Sequence, residues 1–239
     1  MVEPMGIAVI IPALNEEGAI ADLVRSVREQ PVDEIIVVDN GSTDGTAEAA
    51  RQAGARVIEE SRRGYGHACA AGVRAIQGAE ILVFLDGDFS FLPEEMPLLL
   101  SPIQAGKADL VLGSRERGSI APGSMPFQQR FGNWLTAWLV RVLYRVSITD
   151  LGPYRAIRRG LLEDLSIQEM TYGWPAEMIV KAAQYRARIL EVPVSYRARR
   201  AGQSKVSGTL RGTILAGYRI LSVIFRSVLG CGVENLTKQ

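Results

Sequence analysis

Two aspartates one residue apart, Asp86 and Asp88, directly follow the apolar run Ile81-Leu82-Val83-Phe84-Leu85. The run has the length and composition of a buried strand, so the pair sits on a tight turn where that strand ends. Carboxylates this close repel each other unless a positive charge lies between them. A divalent cation carrying a diphosphate suits the pair, because Mg²⁺ binds through one or two carboxylates plus substrate phosphate oxygens. The competing account is a plain acidic turn around Gly87, since Asp and Gly are common turn formers.

Two further polar turns strengthen the chemical account. The apolar run Ile7–Ile11 ends in Pro12-Ala13-Leu14-Asn15-Glu16-Glu17, and Ile35–Val38 ends in Asp39-Asn40-Gly41-Ser42-Thr43-Asp44-Gly45. Pro12 frees the chain from a sheet, which lets Asn15 and Glu16 face a crevice. Asp39 is placed to accept hydrogen bonds from a base N–H, and Gly41 permits tight turning. Three polar turns then lie at one sheet edge, the carboxyl edge where open α/β sheets bind ligands. Gly64-Tyr65-Gly66 adds a Gly-x-Gly turn through which backbone can approach a ligand, followed by a lone His67 without an evident partner.

The elements that must position these turns alternate. Strands are expected at 7–11, 35–38, 56–58, 81–85 and 110–112, with helices between them. Thr46 to Ala53 is the second helix, with Asp44 or Ser42 as its cap. His67 to Ile76 is the third, and Pro93 and Pro97 help to start the fourth. This rhythm predicts an α/β fold, a mostly parallel sheet flanked by helices. In the second half, strands are expected at 154–157, 188–190 and 194–196, and a helix at 176–185. Amphipathic helices are expected at 131–146 and 210–228, each with arginines beside a broad apolar face. Trp134, Trp138 and Trp174 read first as core residues, with a lipid headgroup level as the other setting for Trp134 and Trp138.

Composition narrows the function. The chain has 239 residues, an apolar fraction of 47% and two distant cysteines, Cys69 and Cys231. These describe a folded globular chain without a disulfide framework or a zinc pattern. No secretory leader or spanning apolar run is seen. The net charge of +1 hides an asymmetry: residues 1–110 hold 8 Lys/Arg against 18 Asp/Glu, and residues 111–239 hold 19 against 8. The basic half suits something anionic, such as a phosphorylated substrate, an acidic membrane or nucleic acid; pairing with the acidic half is the simpler account. Nucleic acid is disfavoured because the aromatics do not interleave with the arginines as a stacking platform would.

The motifs together resemble the inverting family-2 glycosyltransferases of GT-A fold. The matching pieces are residues 11–17, 37–46, 64–66 and 86–88. Gly-Ser-Arg (113–115), Thr-Asp-Leu-Gly-Pro-Tyr-Arg-Ala (149–156), Glu-Val-Pro-Val-Ser-Tyr (191–196) and Gly-Gln-Ser-Lys-Val-Ser (202–207) resemble the branch of dolichol-phosphate mannose and glucose synthases. The resemblance implies a catalytic domain over 1–208, with a nucleotide-sugar half (1–113) and an acceptor half (114–208), then an amphipathic helix and tail (209–239). It implies that Pro12, Ala13, Leu14, Asn15, Glu16, Asp39 and Asn40 line the nucleotide pocket, with Gly64, Gly66 and Gly87 nearby. It also implies that Asp86 and Asp88 hold Mg²⁺ or Mn²⁺, with Ser90 at a third contact. Asn40 stands where the family more often has Asp or Gly.

The remaining assignments follow from the chemistry such a reaction needs. A cation facing the departing diphosphate is expected from Arg200 or Lys205. Arg115 and Arg130 are suited to an acceptor phosphate. Such an acceptor is already anionic and needs no strong base, whereas a hydroxyl acceptor does, and Glu177 is the candidate for that role or else a helix-start carboxylate. The expected activity is transfer of a hexose from a UDP- or GDP-sugar to a polyprenyl phosphate, at the cytoplasmic face of a membrane on which the protein docks. Transfer to a hydroxyl and a non-catalytic nucleotide-sugar-binding protein are the alternatives. A second copy or a membrane subunit is left open as a further partner.

Overall fold

The computed structural model describes residues 5–202 and 215–226. Strands β1 (Ile7–Ala13), β2 (Glu34–Asp39), β3 (Arg56–Glu59) and β4 (Ile81–Phe84) alternate with helices α1 (Glu17–Arg28), α2 (Thr46–Gln52) and α3 (Tyr65–Ala75). A 3₁₀ turn at Pro93–Glu95 leads into α4 (Met96–Gln104) and then β5 (Leu110–Ile120). The second half supplies α5 (Phe127–Tyr144), β6 (Arg155–Arg158), α6 (Arg159–Leu165), α7 (Trp174–Gln184) and β7 (Ile189–Tyr196). Residues 215–226 form a further helix, α8.

The seven strands form one sheet in the order β3-β2-β1-β4-β6-β5-β7. β1 to β4 pair in parallel, while β6 runs antiparallel between β4 and β5. Alternate side chains supply two apolar layers, as the pleat requires. Val9, Ile11 and Val83 pack with Leu23, Leu99 and Ile103 on one face. Ala8, Ile10 and Leu82 pack with Ala68, Met178 and Val180 on the other. Both faces are covered, which explains why the first strands read as unbroken apolar runs. The sheet crosses residue 113 without a break, because β5 runs through it.

Several expectations change. Residues 188–190 and 194–196 are not two strands; β7 is continuous and pairs in parallel with β5. Pro193 is tolerated there because β7 lies at the sheet edge, where one row of N–H groups has no partner strand. Gly45 precedes α2, and Asp44 serves its start by accepting the Thr46 N–H at 3.1 Å, while Ser42 is turned to the Asn15 N–H at 2.9 Å.

Helix α5 is the largest reversal. Its buried residues are Asn133, Thr136, Ala137 and Val140. Phe127, Phe131, Trp134, Trp138 and Val142 are exposed, so Trp134 and Trp138 are not core residues. Polar chemistry sets the orientation: Asn133 donates to the Thr149 carbonyl and accepts the Leu151 N–H, fastening the loop before β6. Trp174 is buried, with its ring 4.8 Å from that of Phe84. Of the expected helix at 210–228, only 215–226 lies within the described residues.

Candidate active site

The three polar turns meet at the carboxyl ends of β1, β2 and β4, which are parallel neighbours. The chain leaves β1 through Asn15, whose positive φ of 53° turns it sharply. Asn15 Oδ1 accepts the Thr43 N–H at 2.8 Å, and the Glu16 N–H donates to Thr46 Oγ1 at 2.8 Å. These bonds tie the first turn to the second. Asp39 is buried at the end of β2, and its Oδ1 accepts the Ser42 N–H at 3.2 Å. Pro12 and Ala13 line the third turn from beside it, since a side chain at Gly87 would meet the Pro12 carbonyl at 3.3 Å.

Asp86 and Asp88 leave β4 in different settings. Asp86 accepts a hydrogen bond from the Tyr65 hydroxyl at 3.3 Å. Burial, followed by the neighbouring charge of Asp88, pushes its carboxyl up to about 7. Asp88 Oδ1 accepts both the N–H and the hydroxyl of Ser90, at 3.0 and 2.6 Å. Ser90 thus orients Asp88, and Asp88 Oδ2 lies 4.0 Å from Arg199 Nη2. A carboxyl held up by burial and by a like charge is one that a divalent cation would stabilise in its ionised form. Among the described residues no third His, Cys, Asp or Glu joins the pair, so the donor set suits a cation completed by substrate oxygens.

Arg199 is the site residue the sequence reading missed. Its Nη2 lies 2.6 Å from Glu16 Oε1 and 4.0 Å from Asp88 Oδ2, so one guanidinium stands between the first turn and the third. The segment after β7 is laid across the site by backbone bonds, Arg197 N–H to the Ser90 carbonyl and Arg200 N–H to the Asp88 carbonyl. Arg200 itself turns away: it pairs with Asp22 at 2.8 Å and lies over the Phe89 ring. The Arg-Arg doublet was the available signal, but side chains of adjacent residues diverge, and only the backbone path decides which one faces the crevice. Lys205 lies outside the described residues.

Four other expected residues have structural occupations. The Asn40 amide donates to the Glu60 and Arg62 carbonyls, and its Oδ1 accepts the Gly64 N–H at 2.9 Å, so it holds the 60–64 loop. Gly64 and Gly66 face protein: a side chain at either would strike the backbone of Glu169 or Met170. Glu177 accepts the N–H groups of Gln168 and Glu169 and pairs with Lys181 at 2.8 Å. Its carboxylate therefore secures the segment that covers α3.

The two acceptor arginines also differ. Arg115 is buried and grips Asp150 with two bonds of 2.7 Å, and its backbone N–H adds a third at 2.8 Å. Burial alone would raise the Asp150 carboxyl, but the Arg115 charge and hydrogen bonds outweigh it and leave it lowered. Arg115 is thus committed to Asp150, whose own loop is held through the Thr149 and Asp150 N–H groups on Glu191. Arg130 is 61% exposed and pairs with Glu116 at 2.9 Å. It lines a groove of about 490 Å³ with Arg141, Phe131, Trp134, Trp138 and Thr149.

The model of glycosyl transferase family 2 matches residues 8–166. The chain belongs to glycosyl transferase family 2. An uncharacterised glycosyltransferase of Mycobacterium tuberculosis is 38% identical over 210 residues, 88% of this chain and 94% of that one. A dolichyl-phosphate hexose transferase of Haloferax volcanii is 37% identical, covering 91% and 93%. An undecaprenyl-phosphate mannosyltransferase of Micrococcus luteus is 31% identical, covering 87% and 90%. Among solved structures, glucosyl-3-phosphoglycerate synthase of M. tuberculosis, in complex with Mn²⁺, UDP and phosphoglyceric acid, superposes with a TM-score of 0.76 at 25% identity. That match covers 94% of this chain and 78% of the synthase. This family 2 glycosyltransferase therefore has the GT-A-like fold that its motifs implied.

Proposed function

We propose that this family 2 enzyme moves a hexose from a nucleotide diphosphate sugar to the phosphate of a polyprenyl lipid, working at the cytoplasmic face of a membrane. The observation that carries the lipid part is the outward aromatic face of α5. Phe127 is 79% exposed and Trp134 58%, on the helix that carries Arg130 and Arg141. Aromatic and basic side chains on one exposed helix suit an interface with anionic lipid. The names of the Haloferax and Micrococcus relatives support the same acceptor class.

In this reading Asp39 and Asn15 border the base and ribose, and Glu16, fixed by Arg199, closes that side. Asp86 and Asp88 hold Mg²⁺ or Mn²⁺, which would stabilise the charge that develops on the diphosphate. Ser90 holds Asp88 so that one oxygen stays available. The acceptor phosphate, gathered by Arg130, attacks the anomeric carbon from the face opposite the diphosphate. A new C–O bond forms there as the old one breaks, and its electron pair leaves with the nucleoside diphosphate. The phosphate is already ionised, since its second pKa is about 6, so the occupied carboxylate of Glu177 is no obstacle. Lys205 is assigned to the diphosphate on chemistry alone. UDP in the superposed synthase favours a uridine donor, with GDP-mannose as the other choice.

A second reading is transfer to a small phosphorylated acid, favoured by the phosphoglyceric acid in that same synthase. The test is transfer of radiolabelled sugar from UDP-glucose and from GDP-mannose, with Mn²⁺, to undecaprenyl phosphate in vesicles or to 3-phosphoglycerate. Label in an organic-extractable, acid-labile product is the expected result. Label only in a water-soluble phosphoacid would select the second reading.

A further inference from the structure

We propose that Tyr65 is a positioning residue for the metal site, holding Asp86 through its hydroxyl so that the carboxylate is set for a divalent cation. The inference rests on the metal role given to Asp86 and Asp88. Tyr65 Oη donates to Asp86 Oδ1 at 3.3 Å, and among the described residues it is the hydrogen-bond donor found on that carboxylate. Asp88, by contrast, is fixed within its own turn by Ser90. Asp86 therefore depends on another element for its orientation.

That element is firmly seated. Tyr65 opens α3, whose first turn is clamped by the Met170 carbonyl accepting the His67 N–H at 3.0 Å. The lack of side chains at Gly64 and Gly66 lets the Glu169–Met170 backbone close on it. The Tyr65 ring meets the edge of buried Trp174, at 6.4 Å and 65° between planes. A phenol seated against Trp174 on a clamped helix start can fix one carboxylate oxygen and leave the other for the cation. Hydrogen bonds of this kind to a liganding group set its orientation, and their loss costs about 10- to 100-fold in metal affinity.

Tyr65→Phe keeps the ring and its contact with Trp174 and removes only the donor. Mn²⁺ binding would be followed by electron paramagnetic resonance, with UDP present, on wild type and on Tyr65→Phe. The expected result is a dissociation constant raised by about tenfold, with an altered Mn²⁺ spectrum and an unchanged melting temperature for the metal-free protein. A dissociation constant within about twofold of wild type would overturn the proposal, and so would a loss of affinity that merely tracked a lowered melting temperature. Failure of the wild type to bind Mn²⁺ would instead overturn the metal reading, and this inference with it.

Discussion

Asp88 and Asp150 are both acidic and both near the reaction centre, yet their substitution should act in opposite ways. Asp88 is accessible on one oxygen and braced by Ser90 on the other. Asp88→Ala should reduce sugar transfer by at least about a thousandfold, the scale of losing a principal charge-stabilising group. Its melting temperature should stay close to wild type. Retained turnover in a transfer assay would remove Asp88 from the mechanism. Asp150 is fully buried under Arg115, and replacing it by Ala leaves a guanidinium without its partner. Urea denaturation of Asp150→Ala should show a loss of about 3–5 kcal/mol. Arg199 belongs at this scale too. It bonds Glu16 of the donor turn and faces Asp88 of the metal turn at 4.0 Å, so Arg199→Ala should weaken UDP binding more than it lowers stability, as calorimetry and thermal melting would report together.

At the scale of elements, Glu177 and α5 carry the argument. Glu177 lies in the first turn of α7 and reaches back to two backbone N–H groups of the 168–169 segment. A general base there would give Glu177→Gln a lost acidic limb in the pH profile of kcat, because a base sets the rise of activity as it loses its proton. A securing role predicts an unchanged profile shape and a stability loss of about 1–3 kcal/mol, the cost of weakening charge-assisted hydrogen bonds. Stopped assays across pH, with denaturation alongside, decide between them. For α5, the exposed stripe follows from what the inner face must do. Asn133 satisfies a carbonyl and an N–H of the loop before β6 that no strand partner serves. Buried polar groups of that kind require partners, and the aromatic residues are displaced outward. Replacing Trp134 and Trp138 together by Ser should abolish flotation with anionic liposomes while leaving UDP binding intact.

Across the whole molecule, charge and pH meet. The acidic first half provides the metal turn and the donor turn, and the basic second half reaches both through Arg199, while Arg130 and Arg141 line the groove beside α5. Glu60 shows how pH should act on the fold. Hydrogen bonds from Arg62 hold its carboxyl down to about 2, against an ordinary 4.5. A depressed folded-state value stabilises the fold above the ordinary value, and that stabilisation disappears as pH falls from about 4.5 toward 2. Asp150, also lowered, acts in the same direction. The melting temperature should therefore fall on acidification through that window, and Glu60→Gln should lessen the fall, though modestly because Arg62 is 59% exposed and screened by solvent.

The sequence by itself determined the alternating strands and helices, the three turns at one sheet edge and the pair Asp86–Asp88. Those features rest on local patterns: period, turn chemistry and the apolar runs of strands covered on both faces. It could not determine which of Arg199 and Arg200 faces the crevice, or that Arg115 is taken by Asp150, thirty-five positions away. It also could not tell that Gly64 and Gly66 make room for the 169–170 backbone rather than for a ligand, or that Glu177 is spent on that segment. The partners of Glu177 are only eight and nine positions away, and there the turn of the loop back onto the start of α7 decides. In the other cases the deciding partner is distant in sequence, and only the packed tertiary structure brings it within reach.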